Sequence, residues 1–425
     1  MINVDISNVW TCVSLPELLG SEKQIFDAHQ TLRNNQPDGP DFLGWLGLPD
    51  SVNGRLIHSI NRRADAICNQ SDVLVVCGSG DSFNAARAAI AAYCGAQRNL
   101  FSKPQVYFVG ESLSGRQWLE LQRLLEDKDY SLHLISPTGT ELASNIAARG
   151  LRWMMERKYG PQTKERISVA TPVGTPLHKM GQEEGFELFP MPVQMGGFDS
   201  GLSAAALIPM AVAGIDPISV LEGAAEAYRT MDIRSFENPA WLYTAARCVL
   251  PDKGRNRELL CFFDHSFEDF GRWYQRYVWH HENRNGTGIL AETLLLPGDL
   301  ETADQMICAG GSQIFETVVH FDPILKKIPV EMDWKDYDGL GFLSGRHLDY
   351  VENQFLAAAL ETHNNAGIPI LDIRAGELSA QAMGELFYFF ELSCALTARV
   401  NGLDPFAPTD RLSAEAALLA MEKTQ

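Results

Sequence analysis

Between Asp72 and Ala170, short β-branched apolar runs at residues 73–77, 106–109, 132–135 and 167–170 alternate with longer stretches at 82–93, 115–125 and 142–157. In those longer stretches the apolar residues recur every three or four positions, as on one face of a helix. Strands separated by helices can pair only through crossovers, which predicts a parallel sheet covered by helices on both faces. A helical region follows from Ser200 to about Leu250, and strands return at 259–263, 289–295, 314–321 and 368–373. A long apolar helix near 379–400 and a closing helix after Asp410 complete the order. The pattern predicts an α/β chain of two doubly wound parallel-sheet units with additional C-terminal helices. The break between them is expected at 185–197, where Phe189-Pro190-Met191-Pro192 interrupts both periods.

Composition narrows the function classes. Against 35 basic residues stand 54 acidic ones, a net charge of −19, which repels phosphate backbones and acidic lipid heads. Neither a nucleic-acid partner nor a membrane is therefore expected, and any anion has to be captured locally. The longest apolar stretch, 204–215, contains Pro209 and is far short of the ~20 residues a membrane helix needs. The first seven residues hold no Lys or Arg, so no secretory signal is read there. Eight cysteines are scattered singly, without a C-x-x-C pair or a Cys/His cluster, so neither zinc nor a disulfide framework is expected. These features predict a soluble cytoplasmic protein.

Two strand-to-helix turns carry the candidate chemistry. Gly78-Ser79-Gly80-Asp81-Ser82 lets the backbone turn sharply and aims free helix-start N–H groups at an anion. It lacks the spacing of a dinucleotide fingerprint and the Gly-Lys-Ser/Thr of a P-loop. Ser136-Pro137-Thr138-Gly139-Thr140 sets three hydroxyls around a glycine after another strand, at the sheet edge where such folds bind ligands. Read alone, each turn is equally well a hydroxyl-capped helix start.

Taken with the rest of the chain, these turns resemble the phosphoglucose isomerase family, built from two sugar-isomerase (SIS) domains. Asp41-Phe42-Leu43-Gly44-Trp45 with Leu48-Pro49 is similar to the family's D-F-L-G-W…L-P. Gly78 to Ile90 lies ungapped on G-I-G-G-S-Y-L-G-A-R-A-A-I, and Ser136 to Thr140 lies on S-K-S-G-T-T. Met195-Gly196-Gly197, Ala213-Gly214-Ile215-Asp216, Ile314-Phe315-Glu316-Thr317, Asp338-Gly339-Leu340 and Asp404-Pro405-Phe406 follow in the family's order. The resemblance implies an N-terminal segment, 1–57, packing on the second domain, a first SIS domain at 58–190 and a second at 191–425. It also implies interconversion of glucose 6-phosphate and fructose 6-phosphate through a cis-enediolate, without cofactor or metal. A homodimer acting on a small sugar or sugar phosphate is expected.

Carried over residue by residue, the resemblance puts the family's glutamate base on Glu282, within Glu282-Asn283-Arg284-Asn285-Gly286. The family arginine falls on Phe198, followed by Asp199. The ring-opening histidine falls on Glu301, four residues before Gln305, and the lysine on Glu415, with Lys423 eight residues later. The second threonine of S-G-T-T falls on Glu141. His363 stands where the family also carries a histidine and is expected near a subunit interface. The implied catalytic set is Glu282, Glu301 and His363. The implied binding set is Gly78, Ser79, Gly80, Ser82, Ser136, Thr138, Gly139, Thr140, Gly197 and Gln305. Arg284 and Arg411 are the nearest cations that could replace the lost charge. Of the adjacent His280 and His281, at most one is expected to face the cleft. Phe198, Glu301, Glu415 and Glu141 all make the cleft less positive. That leaves three readings: the family's isomerase, a catalytically impaired sugar-phosphate binder, and an isomerase of a less anionic sugar.

Overall fold

The computed structural model describes residues 2–34, 54–191, 201–283, 288–308, 313–323, 326–406 and 412–423. Its N-terminal strand β1 (Asn3–Asp5) joins a sheet completed only late in the chain. Before that sheet come β2 (Val73–Gly78), β3 (Gln105–Val109), β4 (Tyr130–Ile135), β5 (Ile167–Pro172) and β6 (Glu187–Met191). They form a parallel sheet in the order β3-β2-β4-β5-β6. The second sheet uses β7 (Arg257–Phe262), β8 (Leu290–Leu295), β9 (Ile314–His320) and β10 (Ile370–Arg374) in the order β1-β10-β9-β7-β8. Only β1, at its edge, runs antiparallel. The expected α/β architecture is therefore present.

Strand β2 shows why the apolar runs fold as they do. All six of its residues are buried, as a central parallel strand with helices on both faces requires. Val73, Val75 and Cys77 face one apolar cluster with Leu121, Leu151 and Met155, while Leu74 and Val76 face another. The alternation is the two-residue period of a strand. Strand β6 departs from the sequence expectation, since it lies inside the predicted break. Its Pro190 pairs with Thr171 at the sheet edge, where a missing N–H costs no ladder bond on the outer side.

One large core joins the two sheets. It contains Leu74 and Val76 of the first sheet, Leu260, Phe262, Phe315 and Leu371 of the second, and side chains from the helices between them. The helix Ala380–Val400 is its centre: nearly every side chain from Met383 to Ala398 is buried. That helix crosses Pro217–Thr230 at a point where neither has a side chain. A Cβ on Gly384 would lie 1.8 Å from the Val220 carbonyl oxygen, and one on Gly223 1.9 Å from that of Gln381. Both obstacles are backbone, so the helices must separate to admit a methyl group. Gly384→Ala is expected to cost about 3 kcal/mol of stability. Urea unfolding would measure it, and a loss under about 1 kcal/mol would mean that this crossing is not tight.

Candidate active site

The two hydroxyl-bearing turns leave neighbouring parallel strands at one edge. Gly78, the last residue of β2, is in register with Ile135, the last of β4. After Gly78 the chain turns through Gly80, at φ 101°, a conformation that favours glycine, into the helix Asp81–Cys94. Ser79 is half-buried and Ser82 fully buried. The helix Glu268–Glu282 packs along Asp81–Cys94 and ends beside its start, where His281 Nε2 stands 3.2 Å from Asp81 Oδ2. Topology thus gathers both turns and the end of the helix carrying Glu282 at one place.

The Ser136–Thr140 turn is engaged by the chain's own acid. Glu141 points back into it, accepting hydrogen bonds from the hydroxyl of Ser136, from Thr138 Oγ1 at 2.5 Å and from the Thr138 N–H at 3.1 Å. Gly139 N–H donates to Ser136 Oγ at 2.7 Å, and the Thr138 and Thr140 hydroxyls are 2.9 Å apart. An internal carboxylate thus takes donors that an anionic ligand would use.

Glu282 lies wholly inside the protein. Its Oε1 accepts from Arg247 Nη1 at 2.8 Å, while Oε2 meets no nitrogen or oxygen donor among the described residues, and the Cys394 thiol lies within reach of the carboxylate. Arg247, from the helix Pro239–Val249, also donates through Nε to Glu258 Oε2 at 3.1 Å and through Nη1 to Thr397. Glu258 is well supplied, because the hydroxyls of Tyr243, Tyr274 and Thr317 all donate to it. One guanidinium therefore serves two buried carboxylates, and Glu282 receives the smaller share. Burial raises the Glu282 pKa, and Arg247 only partly pulls it back. Sequence reading missed Arg247. A single cation in the apolar helical run from Trp241 to Val249 was the available signal, since such a residue needs buried acids.

The other predicted residues do not join this group. Glu301 and Gln305 are exposed on the helix Leu300–Cys308, and among the described residues no hydrogen bond or ion pair links either to Glu282 or the two turns. His363 is buried in its own chain, with Nδ1 3.0 Å from Glu316 and Nε2 2.7 Å from Asp304. Both partners only accept, so the ring is an imidazolium tying the helix Leu348–Asn365 to β9 and to Leu300–Cys308. Gly197, Phe198, Asp199, Arg284, Arg411 and the Asp41–Trp45 motif lie outside the described residues, as does the side chain of Glu415. A cavity of about 590 Å³, lined by Phe83, Arg87, Phe108, Glu111, Trp118 and Arg272 among others, includes none of the predicted site residues.

With this geometry in hand, the chain was compared with known proteins. No family model matches it. It is 33% identical over 413 residues to the glucose-6-phosphate isomerase of Clostridium tetani, covering 95% of this chain and 92% of that one. It is 34% identical, with the same coverage of both chains, to the glucose-6-phosphate isomerase of Acetivibrio thermocellus. The chain belongs to the glucose-6-phosphate isomerase family. Among solved structures, a hypothetical protein from Thermus thermophilus superposes with a TM-score of 0.88 at 20% identity, over 100% of this chain and 99% of that one. A glucose-6-phosphate isomerase from Chlamydia trachomatis gives 0.80 at 14% identity, over 100% and 88%. Both share the fold of this glucose-6-phosphate isomerase family member.

Two measurements test the electrostatics. Arg247→Met strands two buried carboxylates and is expected to cost about 3–5 kcal/mol, whereas Glu282→Gln, which leaves the Arg247–Glu258 pair intact, costs clearly less. Equal losses in chemical denaturation would contradict the unequal sharing. For His363, burial opposes the charge, but Glu316 and Asp304 outweigh it and raise the pKa from 6.5 to about 9. A raised pKa stabilises the fold fully below about pH 6.5 and loses that contribution as pH climbs through about 9. His363→Gln should flatten this alkaline decline in Tm, and an unchanged profile would rule the clamp out.

Proposed function

We propose that the protein is an aldose–ketose isomerase in which Glu282 carries a proton between C2 and C1 of an open-chain sugar through a cis-enediolate. The reference reaction is the interconversion of glucose 6-phosphate and fructose 6-phosphate named for its relatives. The observation that carries this reading is the divided state of the Glu282 carboxylate. Oε1 is tied to Arg247, whereas Oε2 has no ordinary donor among the described residues. Oε2 is then the atom that takes the proton from C2 and returns it to C1. Its pKa, raised by burial, suits a base that must also give its proton back near neutrality.

A second reading, that the substrate is a less anionic sugar, is favoured by Glu141. A phosphate ester has to displace this carboxylate from the Ser136–Thr140 turn or sit beside it. At ~5 Å and an effective dielectric near 20, each charge pair opposes binding by about 3 kcal/mol, on the order of a hundredfold in affinity. Phe198 at the family's arginine position favours the same reading. A homodimer accompanies either one. Trp334, Tyr337 and Phe342, at 90%, 84% and 74% exposure, make an apolar surface on segment 326–347 that a second copy would cover.

The test is exchange of the C2 proton with deuterated solvent, followed by NMR, for glucose 6-phosphate and for hexoses without phosphate. Glu282→Gln should abolish exchange by about 10³-fold or more with the fold retained. Glu141→Thr should raise kcat/KM for glucose 6-phosphate by about a hundredfold. A wild-type chain that exchanges no C2 proton in any of these sugars overturns the isomerase reading. Efficient use of glucose 6-phosphate, unaffected by Glu141→Thr, overturns the second.

A further inference from the structure

Beside Glu282 lies a cluster that the proton transfer does not use. Asp81 begins the helix Asp81–Cys94, and His280 and His281 stand in the last turn of Glu268–Glu282. One ligand atom from each of the three lies within 4.8 Å of the other two. The hydrogen bonding of His281 fixes its tautomer. Its Nδ1 is 2.8 Å from the Pro405 carbonyl oxygen, which only accepts, so Nδ1 carries the hydrogen. In the neutral ring Nε2 then presents a lone pair, and it is aimed at Asp81 Oδ2, a second acceptor, 3.2 Å away. His280 Nδ1 approaches the same oxygen at 3.8 Å.

Two acceptors facing each other inside a protein are joined by a positive charge, either a proton on His281 Nε2, as at His363, or a metal ion shared with His280. Here two imidazole nitrogens converge on a single carboxylate oxygen, at 3.2 and 3.8 Å, with all three ligand atoms within 4.8 Å of one another. A small side-chain adjustment brings them to the ~3.3 Å edge of a tetrahedron whose centre is about 2.0–2.1 Å from each ligand. A backbone carbonyl that fixes the far nitrogen of a ligating histidine is the usual second partner of such a ring. Asp81 is buried, at 6% exposure, and stands on a glycine of the family pattern, so the carboxylate is an addition of this chain.

We propose that Asp81 Oδ2, His280 Nδ1 and His281 Nε2 bind a divalent first-row transition ion, Zn²⁺ by preference. Two imidazoles and one carboxylate suit that ion and leave a coordination position open. If Glu282 is the proton carrier proposed above, the ion brings positive charge one residue away from it, where the family arginine is replaced by Phe198. The sequence led to no expectation of a metal, because it holds no C-x-x-C pair or Cys/His cluster and the family reaction needs none; Asp81 and His281, 200 residues apart, make no spacing motif.

The full-length chain, stripped with chelator, is titrated with Zn²⁺ and with Co²⁺ in the absence of sugar. One equivalent per chain should bind, with ligand-field absorption for Co²⁺. Asp81→Asn and His280→Ala should each weaken binding at least tenfold without changing the far-UV circular dichroism. Asp81→Gly, which restores the family residue, should remove it. His281 is left intact because its burial makes misfolding the expected result of its loss. A folded wild-type chain that takes up neither ion overturns the proposal and assigns the Asp81–His281 contact to a proton. Stoichiometric binding that survives both Asp81→Asn and His280→Ala overturns it equally. Binding is read without substrate, so a failure of turnover bears on the isomerase reading alone.

Discussion

One guanidinium holds the centre of this molecule in place. Arg247 is buried together with Glu258 and Glu282, and its charge keeps two carboxylates tolerable in a region with no solvent to screen them. The three residues come from the helix Pro239–Val249, a strand of the second sheet and the helix that lies along Asp81–Cys94. Fixing them relative to one another fixes where Glu282 can stand. The asymmetry of the sharing matters as much as the pairing. Glu258 collects donors from tyrosines and a threonine, while Glu282 has Arg247 on one oxygen, no nitrogen or oxygen donor on the other among the described residues, and the Cys394 thiol nearby. For the less well supplied Glu282, burial outweighs Arg247 and raises the pKa.

The acids gained by the cleft follow a common physical rule. Glu141 is held by hydroxyls and an N–H of its own turn, and Asp81 faces imidazoles from the neighbouring helix. Neither is a bare charge facing the other. A site that binds a dianion ordinarily spends its hydroxyls and helix-start N–H groups on the ligand. Here the Ser136–Thr140 turn uses them on Glu141, so under the reading proposed above a phosphate would compete with an internal anion that loses nothing in translational entropy by binding. Selectivity of this kind arises by making the wrong ligand worse rather than the right one better.

How much of this the sequence could show depends on the range of the interaction. The strands of the first sheet were legible from local runs such as 73–77, because burial on both faces leaves an unbroken apolar signature. The edge strand β6 was not, because Pro190 reads as a break unless the strand is known to have an unpaired side. Glu282 and the two turns could be located from the family pattern, and the nearness of the two turns follows from strand order, since β2 and β4 are neighbours. The direction of Glu141 could not, although a threonine three residues before a glutamate hints that the acid reaches back to the turn. Arg247 with Glu282, and Asp81 with His281, pair residues far apart in sequence, which no local periodicity encodes. The same holds for His363, whose clamp on Asp304 and Glu316 belongs to the architecture of the second sheet.

These features bear on why the fold tolerates such a cleft at all. A chain carrying a net charge of −19 gains nothing from further acids near a ligand site unless each finds a local counterpart. The counterparts are of different kinds: hydroxyl dipoles for Glu141, imidazoles for Asp81 and a guanidinium for Glu282. Only the last carries a permanent charge, and Glu258 shares it. At Glu282 itself the cation in contact is Arg247, shared with Glu258. On the isomerase reading proposed above, an ion held by Asp81, His280 and His281 would add to that charge. That cluster stands one residue from Glu282, at the meeting of the helices Asp81–Cys94 and Glu268–Glu282.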